Sequence, residues 1–524
     1  MDDEPNRFTS TRFALRAQRY IGFCVFSLLL SLSLRARAEL LPARNNIVKS
    51  TVLREERAIA VYLPEEAAKN PAQRFEAVYV LDGDWNATIV TNIVNFMRQV
   101  AMMPPVIVVS VPNYIDAQGN NTRERDFIPR ASSAAVQPDG AAAFLKFIRT
   151  ELVPYVDRNY PTNGTNLIHG HSFGGLFLMY VLANDPQLFD GYLALDPALG
   201  WDNGSMNTVL SGKIAGWPTT GKAIFIAGRS GAGFKEMALD QTERALRSNA
   251  KPALHWRLIS YDDESHDSLK LKGTYDGLKY AYGGYTQDPL EIHPTDGVMI
   301  KGRPFRVVTT VTTNGRLHIN YTTDGSEPTE TSRQDDGTGI MVGDPRQMRL
   351  ELLSLRGQFN QAVPLHLKFG QAFLPGTSEP SQTMDTGWHY TIYRSVAQPK
   401  VDETAALATG TVPQELSLSS FSVPRVAGHV YRRLDVLEDG SFVFVVKADE
   451  AQLHLGVANL ITAKGDRGRR TQSYLAPLRR GSYALSLDFV ESTKDAQLHL
   501  AVIQCKDGLP IWWDQQPWLS LDIH

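Results

Sequence analysis

The densest chemistry in the sequence is Gly170-His171-Ser172-Phe173-Gly174-Gly175, set between the β-branched run NLIHG (166–170) and the apolar run LFLMYVLAN (176–184). A strand-to-helix turn tight enough to expose a serine needs small neighbours, and Gly170 and Gly174 supply them for Ser172. The same turn sets the hydroxyl at a helix N-terminus, which favours developing negative charge. A serine hydroxyl is a weak nucleophile at neutral pH and needs a base within hydrogen-bond reach. His266 is the candidate. It lies in Asp262-Asp263-Glu264-Ser265-His266-Asp267-Ser268, between the strand-like HWRLIS (255–260) and the helix-like TYDGLKYAY (274–282). His169 and His171 flank the turn on a strand whose neighbouring positions alternate faces, and they are read as packing residues, not as a metal pair.

An acid should orient the imidazole, and its expected place is after the seventh strand, AIFIAG (223–228), in RSGAGFKEMALDQ. Glu236 comes first, behind a Gly231-Ala232-Gly233 loop, and is the preferred residue; Asp240, one helical turn on, is the alternative acid. Asp262, Asp263 and Glu264 beside His266 stay open, as does a Ser-His dyad with no acid. Acyl transfer also needs two backbone donors for an oxyanion. The Phe173 amide is one, and an amide near Asp84 and Trp85 in LDGDWN (81–86) is the other. The Trp85 ring reads equally as a wall of the acyl pocket or as a rim aromatic.

The elements that must position these residues form a pattern. Between residues 47 and 285, eight β-branched runs alternate with helix-like stretches: IVKSTVL (47–53), AIAVYL (58–63), EAVYVL (76–81), VIVVSV (106–111), NLIHG (166–170), GYLALD (191–196), AIFIAG (223–228) and HWRLIS (255–260). This predicts one α/β domain with a mostly parallel sheet covered by helices. In GAAAFLKFIRTELVPYV, Phe144, Phe147, Ile148 and Leu152 share one helical face. After residue 286 the texture becomes Thr-, Gly- and Pro-rich with period-two alternation, which predicts antiparallel β modules. Asn314-Gly315 between VVTTVTT and RLHINYTT is a hairpin signal, Asp439-Gly440 is a further turn, and residues 399–424 read as a linker.

Near the N-terminus the uncharged run YIGFCVFSLLLSLSL (20–34) is too short for a bilayer. Arg12, Arg16 and Arg19 precede it and Ala36-Arg37-Ala38 follows, the pattern of a secretory signal peptide cleaved after Ala38. An uncleaved anchor is the competing reading. Either way the chain is expected to be exported, to a periplasmic or extracellular site, with no membrane span after cleavage. Cys24 would leave with the signal and Cys505 remain as a lone buried thiol.

The whole chain has 524 residues, 43% hydrophobic and 21% charged, which excludes a disordered or fibrous protein. Lys plus Arg number 53 against 56 Asp plus Glu, so net charge gives no reason to expect a nucleic-acid partner. Two cysteines cannot organise a disulfide framework or a thiolate metal cluster. No HExxH occurs, and GRSGAGF lacks the Lys-Ser/Thr of a phosphate-binding loop, so the expected chemistry uses no metal and no cofactor.

Segments YVLDGDWN, ERDFIP, ELVPYVDRNYPT, GHSFGGLFLMYVLANDPQLFDGYLALDPALGWDN and DDESHDSL with YDGL together resemble the putative-esterase family of α/β-hydrolases. That family includes siderophore esterases, feruloyl and acetyl-xylan esterases and S-formylglutathione hydrolase. The resemblance implies an α/β-hydrolase fold, Ser172 and His266 as catalytic residues, and an ester of a siderophore-type small molecule or an acylated glycan as substrate. It leaves the acid open; Asp196 stands where the family more often shows a serine. INYTTDGSEPTETS (319–332) resembles the β module appended to chitobiases, and residues 428–506 resemble the protective-antigen-type β-sandwich. The expected domains are a signal peptide (1–38), a catalytic domain (39–286), a chitobiase-type module (287–398), a linker (399–424) and a β-sandwich (425–524). Glycan binding by the β modules, with Trp388, Trp512, Trp513 and Trp518 as stacking platforms, is weighed against buried core tryptophans. The alternative to an enzyme is a non-catalytic glycan-binding or cell-surface protein on a hydrolase scaffold.

Overall fold

The computed structural model describes residues 42–130, 140–287, 289–310 and most of 319–522, leaving out among others 377–386, 413–424, 464–470 and 509–518. The expected signal peptide, Asn314-Gly315, Trp512, Trp513 and Trp518 lie outside the described residues. Two compact units divide between Tyr282 and Gly283.

The first unit is built on an eight-stranded sheet. Its strands are β1 (Arg44–Ser50), β2 (Glu55–Tyr62), β3 (Phe75–Leu81), β4 (Val106–Val111), β5 (Thr162–His171), β6 (Gly191–Leu195), β7 (Ala223–Arg229) and β8 (Trp256–Tyr261). Spatial order is β1-β2-β4-β3-β5-β6-β7-β8. The β1/β2 and β2/β4 pairs are antiparallel, and every pair from β4 to β8 is parallel. Strands β3, β4 and β6 are buried along their whole length, the reason their sequences are continuous apolar runs rather than alternating ones. All eight expected runs are strands, and the arrangement is an α/β-hydrolase fold. β1 ends before residues 51–54, which turn the chain into β2.

The helix Phe173–Asn184 behind the serine is apolar on every side because it is buried on every side, with Leu176, Phe177, Leu178, Met179 and Val181 all fully enclosed. The GAAAFLKFIRTELVPYV stretch is helical at Gly140–Phe147 and Val153–Asn159, with a wider π turn over Ile148–Leu152 between them. Phe144, Phe147, Ile148 and Leu152 face the core as expected. Arg57 is one of several charges buried in this unit. Arg57 on β2 donates to Asp126 at 2.7 Å and Glu55 at 2.9 Å and lies 5.2 Å from the Phe144 ring. It thereby pins the short helix Arg123–Phe127 to the antiparallel edge of the sheet.

The second unit is all β. One six-stranded sheet runs in the order His366–Gly370, Asp296–Ile300, Thr471–Leu478, Gly440–Lys447, Gln497–Cys505, Leu519–Asp522; another runs Val401–Val412, Trp388–Ser395, Arg425–Val436, Gly481–Ser492, Glu450–Leu455, Ala458–Ala463. Phe444 and Val446 of the first share a core with Val430, Leu453 and Leu487 of the second, as in a sandwich. Smaller three- and four-stranded sheets complete the unit.

Three expectations are corrected here. Residues 401–412, read as linker, form a strand paired with Trp388–Ser395. Asp296 and Gly297 of the expected first module hydrogen-bond in register with Tyr474 and Leu475 of the second, so no division near residue 399–424 separates the hydrogen bonding. The strands flanking Asn314-Gly315 do not form a hairpin with each other in their described parts. Phe305–Thr310 pairs with Ile340–Val342 and Glu291–His293, whereas Ile319–Thr322 pairs with Arg333–Asp335 and Arg349–Leu352. Asp439-Gly440 likewise connects strands of two different sheets. A sandwich satisfies strand edges by pairing distant segments, which local turn signals cannot reveal.

Candidate active site

Ser172 sits where β5 meets the helix Phe173–Asn184, at φ 60° and ψ −119°, a backbone that a non-glycine residue adopts only when its surroundings enforce it. The enforcement is visible. The Ser172 amide donates to the Leu195 carbonyl at 2.9 Å, and its carbonyl accepts from Leu176 and Ala198 at 2.9 and 3.1 Å. A Cβ on Gly170 would lie 2.6 Å from the Gly174 carbonyl group, so the turn closes only around glycine.

His266 is brought to this turn from the loop after β8. Its Nδ1 lies 2.6 Å from Asp196 Oδ2, its backbone carbonyl lies 2.7 Å from His171 Nε2, and the two imidazole rings are 4.3 Å apart. With Nδ1 held by a carboxylate, Nε2 is the nitrogen left to take a proton. His169 and His171 are two residues apart and therefore share a face of β5. His169 reaches Thr274 at 2.9 Å, while His171 supports the loop that carries His266. Burial lowers His169 to about 4 and His171 to about 3, the latter helped by the neighbouring His266 and Lys270 charges. Among the described residues no cluster of His, Cys, Asp or Glu could hold a metal ion.

The acid beside His266 is Asp196, not Glu236. Asp196 directly follows β6, is fully buried and has a positive φ of 38°. Its amide donates to the Ala227 carbonyl at 2.7 Å, which locks it to β7. Oδ2 accepts from His266 and, at 2.6 Å, from Arg229 Nε. Burial opposes the charge, but the hydrogen bonds from His266 and Arg229 and the Arg229 charge outweigh it and hold the carboxyl below its usual range. Glu236 is 69% exposed and pairs at 3.7 Å with Arg229; Asp240 pairs with Arg244 at 3.0 Å on the surface of its own helix. Asp263 pairs with Lys272, and Glu264 hydrogen-bonds Ser268. The last residue of β7, just ahead of the loop where the acid is expected, is the cation Arg229. Sequence did mark Asp196, as an acid ending an otherwise apolar strand and as the departure from the family's usual serine.

The second oxyanion donor is also narrowed. In the helix Gly83–Gln99 the amides of Trp85 and Asn86 both donate to the Asp82 carbonyl at 2.9 Å, so the Trp85 amide is consumed. Of the two amides singled out in LDGDWN, that of Asp84, earlier in the first turn, is left for an acceptor outside the helix. Gly83 is required because a Cβ there would lie 2.2 Å from Ser110 Oγ.

A group the motif did not disclose braces this turn against the serine. Asp82 is almost wholly buried and accepts from Arg123 Nε at 2.6 Å, Arg123 Nη2 at 2.9 Å and Asn113 Nδ2 at 2.9 Å. Arg123 Nη2 reaches the His171 carbonyl at 3.2 Å, and the guanidinium lies 5.4 Å from the rings of both Trp85 and Phe173. Trp85 itself is 53% exposed. Trp388, by contrast, is buried in the second unit beneath Arg432, which makes it a core residue rather than a sugar platform. Cys505 is buried and free, and burial pushes its thiol up to about 12.

Part of the α/β unit is similar to known proteins. Residues 50–229 match the family model described as Putative esterase. The ferri-bacillibactin esterase BesA of Bacillus subtilis is 27% identical over 162 residues, 28% of this chain and 56% of that protein. The siderophore enterobactin esterase of Emericella nidulans is 31% identical over 159 residues, 27% of this chain and 52% of that protein. A structure described as an IroE-like serine hydrolase from Shewanella oneidensis shares 29% identity, covering 45% of this chain and 79% of that one, with a TM-score of 0.40. The chain spans about half the length of the curated relatives it matches. Within the α/β unit, then, it is residues 50–229 that are similar to the putative-esterase family.

Proposed function

We propose that the protein is a serine carboxylic-ester hydrolase in which Ser172, His266 and Asp196 act as a triad. The observation that carries this is the buried Asp196 carboxylate 2.6 Å from His266 Nδ1, with the His266 carbonyl tied to His171, the residue preceding Ser172. Ser172 Oγ attacks the ester carbonyl while His266 Nε2 takes its proton. Asp196 keeps the proton on Nδ1 and stabilises the imidazolium. The amides of Phe173 and Asp84 receive the oxyanion. Collapse of the tetrahedral intermediate breaks the ester C–O bond, and the alcohol leaves with the proton from His266. Water, deprotonated by His266, then attacks the acyl-enzyme and releases the acid and free Ser172.

The substrate we propose is a siderophore-type ester, with an acylated carbohydrate as the second candidate. The names of the relatives support the first, as do the exposed Trp85 and the Arg123 guanidinium beside it, which suit an aromatic, electron-rich acyl group. We further propose that the protein is exported, on the signal-peptide pattern before Ala38. A fluorophosphonate probe tests the core of the reading: wild type should label and Ser172→Ala should not. Equal labelling of the two removes the enzyme. Side-by-side rates on a ferric siderophore ester, a feruloylated sugar, an acetylated glycan and nitrophenyl acetate test the substrate; equal rates on all four would empty the specificity proposal.

A further inference from the structure

Arg229, the last residue of β7, donates to the same carboxylate oxygen as His266. Both contacts are 2.6 Å, so the guanidinium and the imidazole compete for one atom. Arg229 adds its own amide, 3.4 Å from Asp196 Oδ1. Its side chain is 22% exposed, whereas the carboxylate is fully enclosed. An aspartate enclosed without a cation would hold its charge at a steep desolvation cost, and it would lose one of the donors that fix its carboxylate.

We propose that Arg229 is a positioning residue for the hydrolase: it fixes the Asp196 rotamer and withdraws part of the carboxylate's charge from His266, so that it sets the acidic boundary of catalysis. The proposal rests on the Ser172–His266–Asp196 reading and goes beyond it. The physical chain is short. Less negative charge at Oδ2 means less stabilisation of the imidazolium, and the guanidinium repels that imidazolium directly. Both effects weigh against the imidazolium that forms when His266 takes the serine proton. The other charged and titratable groups around the pair are few. From β5, His171 faces His266 but is held neutral by burial, at about 3. Asp267 and Lys270, beside His266, pair with each other at 2.7 Å, and Glu236 opposes Arg229 from the solvent side.

The test is the pH profile of kcat/KM for nitrophenyl acetate on the full chain. In Arg229→Gln the acidic limb should move up by about one pH unit, because both the charge withdrawal and the repulsion are lost. Arg229→Lys, which keeps the cation, should restore the wild-type limb. Glu236→Gln, at an exposed site that folding does not depend on, removes the opposing charge and should move the limb down by a few tenths of a unit. An Arg229→Gln limb at the wild-type position, whatever the turnover, overturns the proposal, since a merely structural arginine would lower rates at all pH alike. So does an Arg229→Lys limb displaced as far as that of Arg229→Gln. If Arg229→Gln does not fold, Arg229→Lys and Glu236→Gln decide, and a Glu236→Gln limb that stays put or rises overturns it. Failure of the underlying reading is separate: Ser172→Ala would then hydrolyse the ester as wild type does.

Discussion

Asp196→Asn changes one atom in the site and separates the acid argued for here from the one the sequence suggested. The carboxylate accepts three hydrogen bonds, from His266 Nδ1 and Arg229 Nε at Oδ2 and from the Arg229 amide at Oδ1. An asparagine can place its one carbonyl oxygen at Oδ2, and its NH2 then faces the Arg229 amide donor. Reversed, the NH2 faces both His266 and Arg229. Neither arrangement supplies negative charge to the imidazolium, and the second favours the wrong tautomer. Loss of such a group costs about ten-thousandfold in kcat, equivalent to roughly 5.5 kcal/mol of transition-state stabilisation. Stability should fall less. Breaking a buried ion pair costs about 3–5 kcal/mol, but Arg229 is partly solvated and keeps Glu236, so about 1–2 kcal/mol is expected. The assay is kcat for nitrophenyl acetate at saturating substrate, with thermal unfolding alongside. If Asp196→Asn stays within tenfold of wild type while Glu236→Gln loses orders of magnitude, the acid lies on the loop after β7 and the reasoning from burial fails.

Two further outcomes follow from the same neighbourhood. Arg123→Gln strands the buried Asp82 carboxylate on Asn113 alone and loosens the turn that carries the Asp84 amide, so kcat/KM should drop about 10- to 100-fold with a smaller loss for Arg123→Lys; unchanged kinetics in both variants would show that this brace is irrelevant to the oxyanion site. Stability should also depend on pH through His169 and His171, whose folded values of about 4 and about 3 lie below the ordinary 6.5. The unfolded chain takes up those protons first, so stability present above pH 6.5 is lost as pH falls toward 4, by about 2 kcal/mol for each histidine at pH 5. Urea midpoints at pH 7 and pH 5 measure this; a His169→Gln, His171→Gln protein that keeps the full wild-type pH dependence would contradict it.

The first unit was legible because its strands announce themselves. Runs such as VIVVSV and GYLAL are apolar throughout since helices cover both faces, and the helix behind Ser172 is apolar all round for the same reason. The second unit was legible only as β structure. Asn314-Gly315 and Asp439-Gly440 are honest local signals, yet the strands beside them pair with segments far away in sequence, such as Gly440–Lys447 with Gln497–Cys505. Period-two alternation states that a strand has an inner face; it does not state which sheet supplies the partner. Residues 401–412 read as linker because they lie in a Ser- and Pro-containing stretch, and pairing with Trp388–Ser395 overrides that weak local signal.

At the site, what sequence disclosed and what it hid divide along one physical line. Ser172 and His266 are named by local constraints, since an elbow needs glycines at fixed offsets and a base must follow the last strand. The acid has no such constraint. A carboxylate reaches His266 Nδ1 from the end of β6 as readily as from the loop after β7, because these strands are neighbours in register, with Leu195 opposite Ala227. What selects β6 is the enclosure of Asp196 together with a cation to hold it, and that cation comes from the end of β7 itself. Asp196 and Arg229 are therefore one decision of the fold expressed at two positions 33 residues apart. An acid at the end of an apolar strand, paired with an arginine at the end of the adjacent parallel strand, is the pattern to seek when the loop after that second strand offers only exposed carboxylates.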